Sequence, residues 1–176
     1  MRAFVALQLP EGFATETAAL SRSLGTSLEG RFLPRDVHHL TLAFLGDIDD
    51  SEVARAMEAM DEACEGIGAA SLASDGLGKF GRTGDATLWL GIKHAPDLEL
   101  LAARLREALA SRDVPYDAKP FKPHITLARR VRIPKADLPP LAFPNDDEAT
   151  SVTLYKSTLG REGATYKPLY SIDLGS

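Results

Sequence analysis

The chain has 176 residues and a mass of 19.0 kDa, enough for one substantial core or two small lobes sharing a cleft. Its hydrophobic content of 44% and charged content of 26% are ordinary for a soluble globular protein, and no apolar run approaches the ~20 residues of a membrane span. A net charge of −5 argues against a general nucleic-acid coat, and the single Cys64 excludes an internal disulfide; the N-terminal apolar stretch, broken by Gln8 and Pro10, is too short and polar for a signal peptide, so a reducing, cytoplasmic setting is expected.

Arg2 to Leu9 predict a buried strand. Pro10 then opens a helix whose apolar residues are Phe13, Leu20, Leu24 and Leu28, and Gly30 ends that region. Arg31 to Leu33 read as a short strand, and Pro34 to His38 as the approach to a longer one, His39-Leu40-Thr41-Leu42-Ala43-Phe44. His38 points away from the face of His39 and reads as packing or surface. Asp49 with Glu52 three residues later marks a helix N-terminus, and Val53, Ala56, Met57, Met60 and Cys64 form the apolar stripe that runs to Gly66 and Gly68. Cys64 on that stripe reads as core, not as a nucleophile.

A strand over Ala69 to Leu77 leads into a glycine-rich turn, Gly76 to Gly84. It is not a phosphate loop, because no Lys-Ser or Lys-Thr follows at the required place. Ala86 to Ile92 form a strand that includes Trp89. His94 sits in an exposed turn, and Leu98, Leu101, Leu105 and Leu109 are the buried face of a helix begun at Pro96. Proline-punctuated residues Pro115 to Pro123 lead to a second long strand, His124-Ile125-Thr126-Leu127-Ala128-Arg129. After a Pro-rich connection, Ile133 to Pro144, strands over Ala149 to Ser157 and Tyr166 to Leu174 complete the chain.

The two long strands carry the same pattern of His, aliphatic, Thr, aliphatic. Strand alternation puts His39 and Thr41 on one face and Leu40, Leu42 and Phe44 on the other; His124 and Thr126 separate from Ile125 and Leu127 in the same way. The third position on each polar face is then Ala43 or Ala128, small enough to leave room for a ligand. Two such faces lining one cleft would bring two imidazoles and two hydroxyls together, a set suited to phosphodiester chemistry without a metal. A neutral His takes a proton from the attacking oxygen, and a protonated His gives one to the leaving oxygen. The Thr hydroxyls donate to the non-bridging phosphate oxygens, where charge accumulates. An imidazole titrates near pH ~6.5, so one ring is expected to hold its proton while the other lacks it. Each motif offers one good metal ligand, with no carboxylate or cysteine nearby to complete a zinc set, so no metal is expected.

Charge is unevenly distributed. Between Lys119 and Lys135 stand Lys119, Lys122, Arg129, Arg130, Arg132 and Lys135, with no Asp or Glu, so positive charge gathers around the second motif. That suits a phosphate ligand, although Arg130, Arg132 and Lys135 are equally well read as a solvated loop.

His39-Leu40-Thr41-Leu42-Ala43-Phe44-Leu45-Gly46 and Lys122-Pro123-His124-Ile125-Thr126-Leu127-Ala128-Arg129 resemble the two signatures of the 2H phosphoesterases. Within that superfamily the chain is similar to the RNA 2′,3′-cyclic phosphodiesterases, long called 2′-5′ RNA ligases. The opening Met1-Arg2-Ala3-Phe4-Val5-Ala6-Leu7, Leu77-Gly78-Lys79-Phe80, Leu88-Trp89-Leu90-Gly91 and Leu154-Tyr155-Lys156-Ser157 support the resemblance. It implies an α+β fold: one bilobal domain over residues 1–176, in which two pseudo-twofold-related antiparallel sheets with helices on their outer faces meet at a cleft. It implies His39 as proton donor to the departing 3′ oxygen and His124 as the base that activates water, roles that the near-symmetric motifs do not assign by themselves. It implies Thr41 and Thr126 on the phosphate, Arg129 as a phosphate contact reached through a bend in the strand, and Phe121 as an aromatic able to stack on a base. Expected partners are RNA ends or small nucleotides bearing a 2′,3′-cyclic phosphate, bound by a monomer with no cofactor. A binding module that holds such a nucleotide without turnover would keep the same residues.

Overall fold

The structure is a computed structural model and describes residues 1–175. β1 (Arg2–Gln8) is buried at five consecutive positions because it is central. It lies between β3 (His39–Asp47) and β9 (Ser151–Gly160), and both of its faces are covered. β10 (Gly163–Asp173) adds to the far side of β9 in a long hairpin. In the other half, β7 (His124–Arg132) pairs with β6 (Asp85–Ile92), which pairs with β5 (Ser74–Arg82). β2 (Glu29–Phe32) lies along the opposite edge of β7. β4 (Ala70–Leu72) and β8 (Asp147–Ala149) form a separate small ladder.

The halves meet at one pairing, Leu40 with Ile125. Each is the residue after its motif histidine, so equivalent positions face one another antiparallel. That is the arrangement a pseudo-twofold axis requires. Through it the strands form one continuous sheet in the order β10-β9-β1-β3-β7-β6-β5.

Helices α1 (Glu11–Gly25), α2 (Asp50–Cys64) and α3 (Pro96–Ser111) pack on the sheet face that carries Val5, Leu7, Leu40, Leu42, Ile125 and Leu127. Residues from both halves share that one apolar cluster. α2 begins with the expected capping box: the Glu52 amide donates to Asp49 Oδ1 at 2.8 Å, and the Asp49 amide donates to Glu52 Oε1 at 3.0 Å. α1 stops at Gly25, earlier than the apolar spacing predicts, and Leu28 packs from the following turn. Cys64 is buried on α2, and burial pushes its thiol up to about 11. His94 is exposed and contacts Glu99.

The glycine-rich segment Gly76 to Gly84 departs from its expected form. It is mostly strand, β5, not turn. A Cβ at Gly78 would overlap the Trp89 indole, which lies across it from the paired strand, so glycine here makes room for a neighbour. Among the described residues no helix is long and apolar enough to cross a membrane.

Candidate active site

Both motif strands are interrupted by a β-bulge at the same place. In β3, Thr41 faces Ala6 and Ala43 faces Val5, so Leu42 is the extra residue. In β7, Thr126 faces Trp89 and Ala128 faces Leu88, so Leu127 is extra. Alternation therefore fails beyond each Thr. Leu42 and Ala43 are both buried, as are Leu127 and Ala128. The following residues, Phe44 and Arg129, swing onto the face of the His and Thr. This corrects the expected alternation: Ala43 and Ala128 belong to the core, and Phe44 is 50% exposed in the cleft. It also supplies the bend that Arg129 requires.

His39, Thr41, His124, Thr126 and Arg129 line one cleft of about 1090 Å³. Phe121 is not among its lining. Its ring packs against the core, and the Arg106 guanidinium stands 5.7 Å from the ring centroid. Arg106 also stands over Tyr116 and donates to the Lys119 carbonyl at 2.7 Å, so Phe121 helps hold the 115–123 loop against the motif strands.

His39 sits in an aromatic nest. Tyr155, Tyr166 and Phe4 have ring centroids 4.5, 5.5 and 6.3 Å from its own. Its Nδ1 is buried with no hydrogen bond of normal geometry, and the Val37 backbone favours the protonated ring less than burial disfavours it. Loss of water around the ring pushes its pKa down to about 4.

His124 sits beside Trp89 and Phe80, with centroids 5.7 and 5.3 Å away. Its Nδ1 lies 2.6 Å from the Lys122 carbonyl. A carbonyl only accepts, so Nδ1 carries the hydrogen and Nε2 keeps the lone pair available to a ligand. Burial lowers this ring's pKa too, and the Lys122 and Arg129 charges add to the effect. The Lys122 ammonium is held 4.8 Å over Trp89. Burial thus favours the neutral form of both rings in the free protein, where the motifs by themselves suggest one charged and one neutral imidazole. The cause is desolvation by aromatic neighbours that the motifs do not contain.

Sequence reasoning missed Tyr166, Phe44 and Arg31 as cleft residues, and Tyr155 as the buried ring against His39. Tyr155 lies in a segment that supports the family resemblance, which was the available signal. Phe44 was hidden by the bulge. Among the described residues no three His, Cys, Asp or Glu side chains converge in a set able to hold a metal ion.

Residues 9–155 match the model of the 2′-5′ RNA ligase superfamily. An RNA 2′,3′-cyclic phosphodiesterase of Escherichia coli (strain K12) is 31% identical over 169 residues, covering 96% of this chain and 93% of that protein. One from Geobacillus stearothermophilus is 36% identical over 129 residues, a match that covers 72% of this chain and 41% of that protein. The crystal structure of E. coli LigT in apo form superposes with a TM-score of 0.80 at 29% identity, covering 99% of this chain and 98% of that one. LigT has also been crystallised with ATP, with 3′-AMP, with NADP+ and with phosphate. By the match of its sequence and the agreement of its α+β fold, the chain belongs to the 2′-5′ RNA ligase superfamily.

Proposed function

We propose that this chain is a metal-independent RNA 2′,3′-cyclic phosphodiesterase that opens the cyclic phosphate to a 2′-phosphate. The observation that carries this is the presence of both His-x-Thr pairs and Arg129 in one cleft. His124 Nε2 takes a proton from water as the water oxygen attacks phosphorus. The bond from phosphorus to the 3′ oxygen breaks, and His39 gives its proton to that oxygen. Thr41 and Thr126 donate hydrogen bonds to the non-bridging oxygens, and the Arg129 guanidinium matches the phosphate's geometry. Free His39 has a pKa of about 4, so it needs the anionic substrate beside it to hold a proton at neutral pH. With a 5′-hydroxyl of a second RNA in place of water, the same steps form a 2′-5′ link. The activity of the related RNA 2′,3′-cyclic phosphodiesterases and the nucleotides crystallised with LigT support this reading.

The test is turnover of a dinucleotide ending in a 2′,3′-cyclic phosphate, with the position of the product phosphate read by phosphorus NMR. The wild type is expected to yield the 2′-phosphate. His39→Ala and His124→Ala are each expected to lower kcat by about 10²–10⁴ without loss of fold. Full activity in either variant refutes the acid–base pair. Chelators are expected to leave the rate unchanged, and a loss that zinc restores would assign the reaction to a metal instead.

A further inference from the structure

β2 places Arg31 directly opposite Arg129 on β7, and both side chains line the cleft. Opposite residues on antiparallel strands have Cβ atoms about 5 Å apart, and like charges in that position are destabilising. Neither arginine forms an ion pair among the described residues. Among the described residues no carboxylate pairs with either guanidinium, although Glu162 and Asp117 line the same cleft, so the two arginines are free to take an anion bearing more than one charge. Arg31 is also seated. Its Nη2 lies where a Cβ on Gly163 would come within 2.5 Å, and Gly163 holds a φ of 115° that favours glycine. Arg31 thus reaches from the strand beside the second motif to the β9–β10 hairpin of the other half. The cleft of about 1090 Å³ has room for more than the reacting group.

We propose that Arg31 grips the phosphodiester immediately 5′ of the nucleotide that carries the cyclic phosphate, so that the cleft favours an RNA end over a cyclic mononucleotide. This rests on the cyclic-phosphodiester reading above. Arg129 serves the reacting phosphate, and Arg31 serves the next one along the chain. A nucleoside 2′,3′-cyclic phosphate has only a 5′-hydroxyl at that position and leaves Arg31 without a ligand.

The experiment compares kcat/KM for adenylyl-adenosine 2′,3′-cyclic phosphate and for adenosine 2′,3′-cyclic phosphate. The wild type is expected to prefer the dinucleotide by about tenfold or more, the scale of one charge-assisted contact. Arg31→Gln is expected to bring that ratio close to one, while Arg129→Gln lowers both values together and preserves the ratio. Thermal melts establish that both variants are folded. Equal losses on the two substrates with Arg31→Gln, or an unchanged ratio, overturn the assignment. If the wild type turns over neither substrate, the proposed reaction fails, and Arg31 is then judged by binding. The Kd of adenylyl-adenosine 2′-phosphate against that of adenosine 2′-phosphate is expected to show the same preference and the same loss of it.

Discussion

His39 and His124 differ in their surroundings more than in their motifs, and those surroundings fix how activity follows pH. A general base must be neutral and a general acid protonated. In the free protein burial holds both rings below the ordinary 6.5, His39 at about 4. Since kcat/KM reports the free enzyme, it is expected to peak on the acid side of neutrality and to decline above about pH 6.5. A bound phosphate anion raises both rings, so the kcat profile is expected to extend to higher pH. A kcat/KM that stays flat from about pH 6 to 9 would contradict this assignment of roles. His38, next in sequence, is 3% exposed, and neither ring nitrogen has a hydrogen bond of normal geometry. Such burial costs about 1–3 kcal/mol. His38→Leu is therefore expected to raise Tm by several degrees, since about 1 kcal/mol moves Tm by 2–4 °C in a chain of this size. The gain is expected to be larger at pH 5, because burial lowers the folded ring's pKa and the unfolded chain takes up the proton more readily.

The paired bulges are what turn two ordinary strands into a site. They decide that Arg129 enters the cleft while its neighbour leaves it: Arg130, at φ 56°, is 81% exposed in its side chain and lies 3.6 Å from an Asp85 carboxylate oxygen. Arg129→Ala is expected to lower kcat/KM by about 10–100-fold, on the scale of a charge-assisted contact to phosphate. Arg130→Ala is expected to change it less than about twofold, as an exposed ion pair contributes little. The reverse order, a large loss with Arg130→Ala and little with Arg129→Ala, would mean that strand parity, and not the bulge, governs β7. The strands were legible because a period of two survives over His39 to Leu42 and His124 to Leu127. The bulges were not, since Leu-Ala carries no turn chemistry and the extra residue is defined by a partner strand distant in sequence. For the same reason Gly76 to Gly84 read as a turn. The glycine count is local, but the Trp89 indole that explains Gly78 comes from the next strand. The pairing of Arg31 with Arg129 joins two segments that the sequence keeps far apart.

Three desolvated imidazoles in one protein set its response to acid. His38, His39 and His124 all have lowered folded-state pKa values, so from about pH 6.5 down towards 4 the unfolded chain binds more protons than the folded one. Stability therefore rises with pH through this window and is lost as pH falls through it. Urea unfolding at pH 7.5 and pH 5 is expected to give a clearly lower midpoint at pH 5, and equal midpoints would show that the rings are not held neutral by the fold. The pairing of Leu40 with Ile125 has a further consequence for the molecule as a whole. A half-turn about that point exchanges the two His-x-Thr seats, so in the proposed reaction a five-membered cyclic ester would meet the same donors from either end. Reversed, the ribose would present its 2′ oxygen to His39, and the product would keep its phosphate on the 3′ carbon. The acid–base pair cannot tell these outcomes apart. Regiochemistry must then be read by what breaks the symmetry at the rim, the twin guanidinium groups beside one motif and Phe44 and Asp117 beside the other.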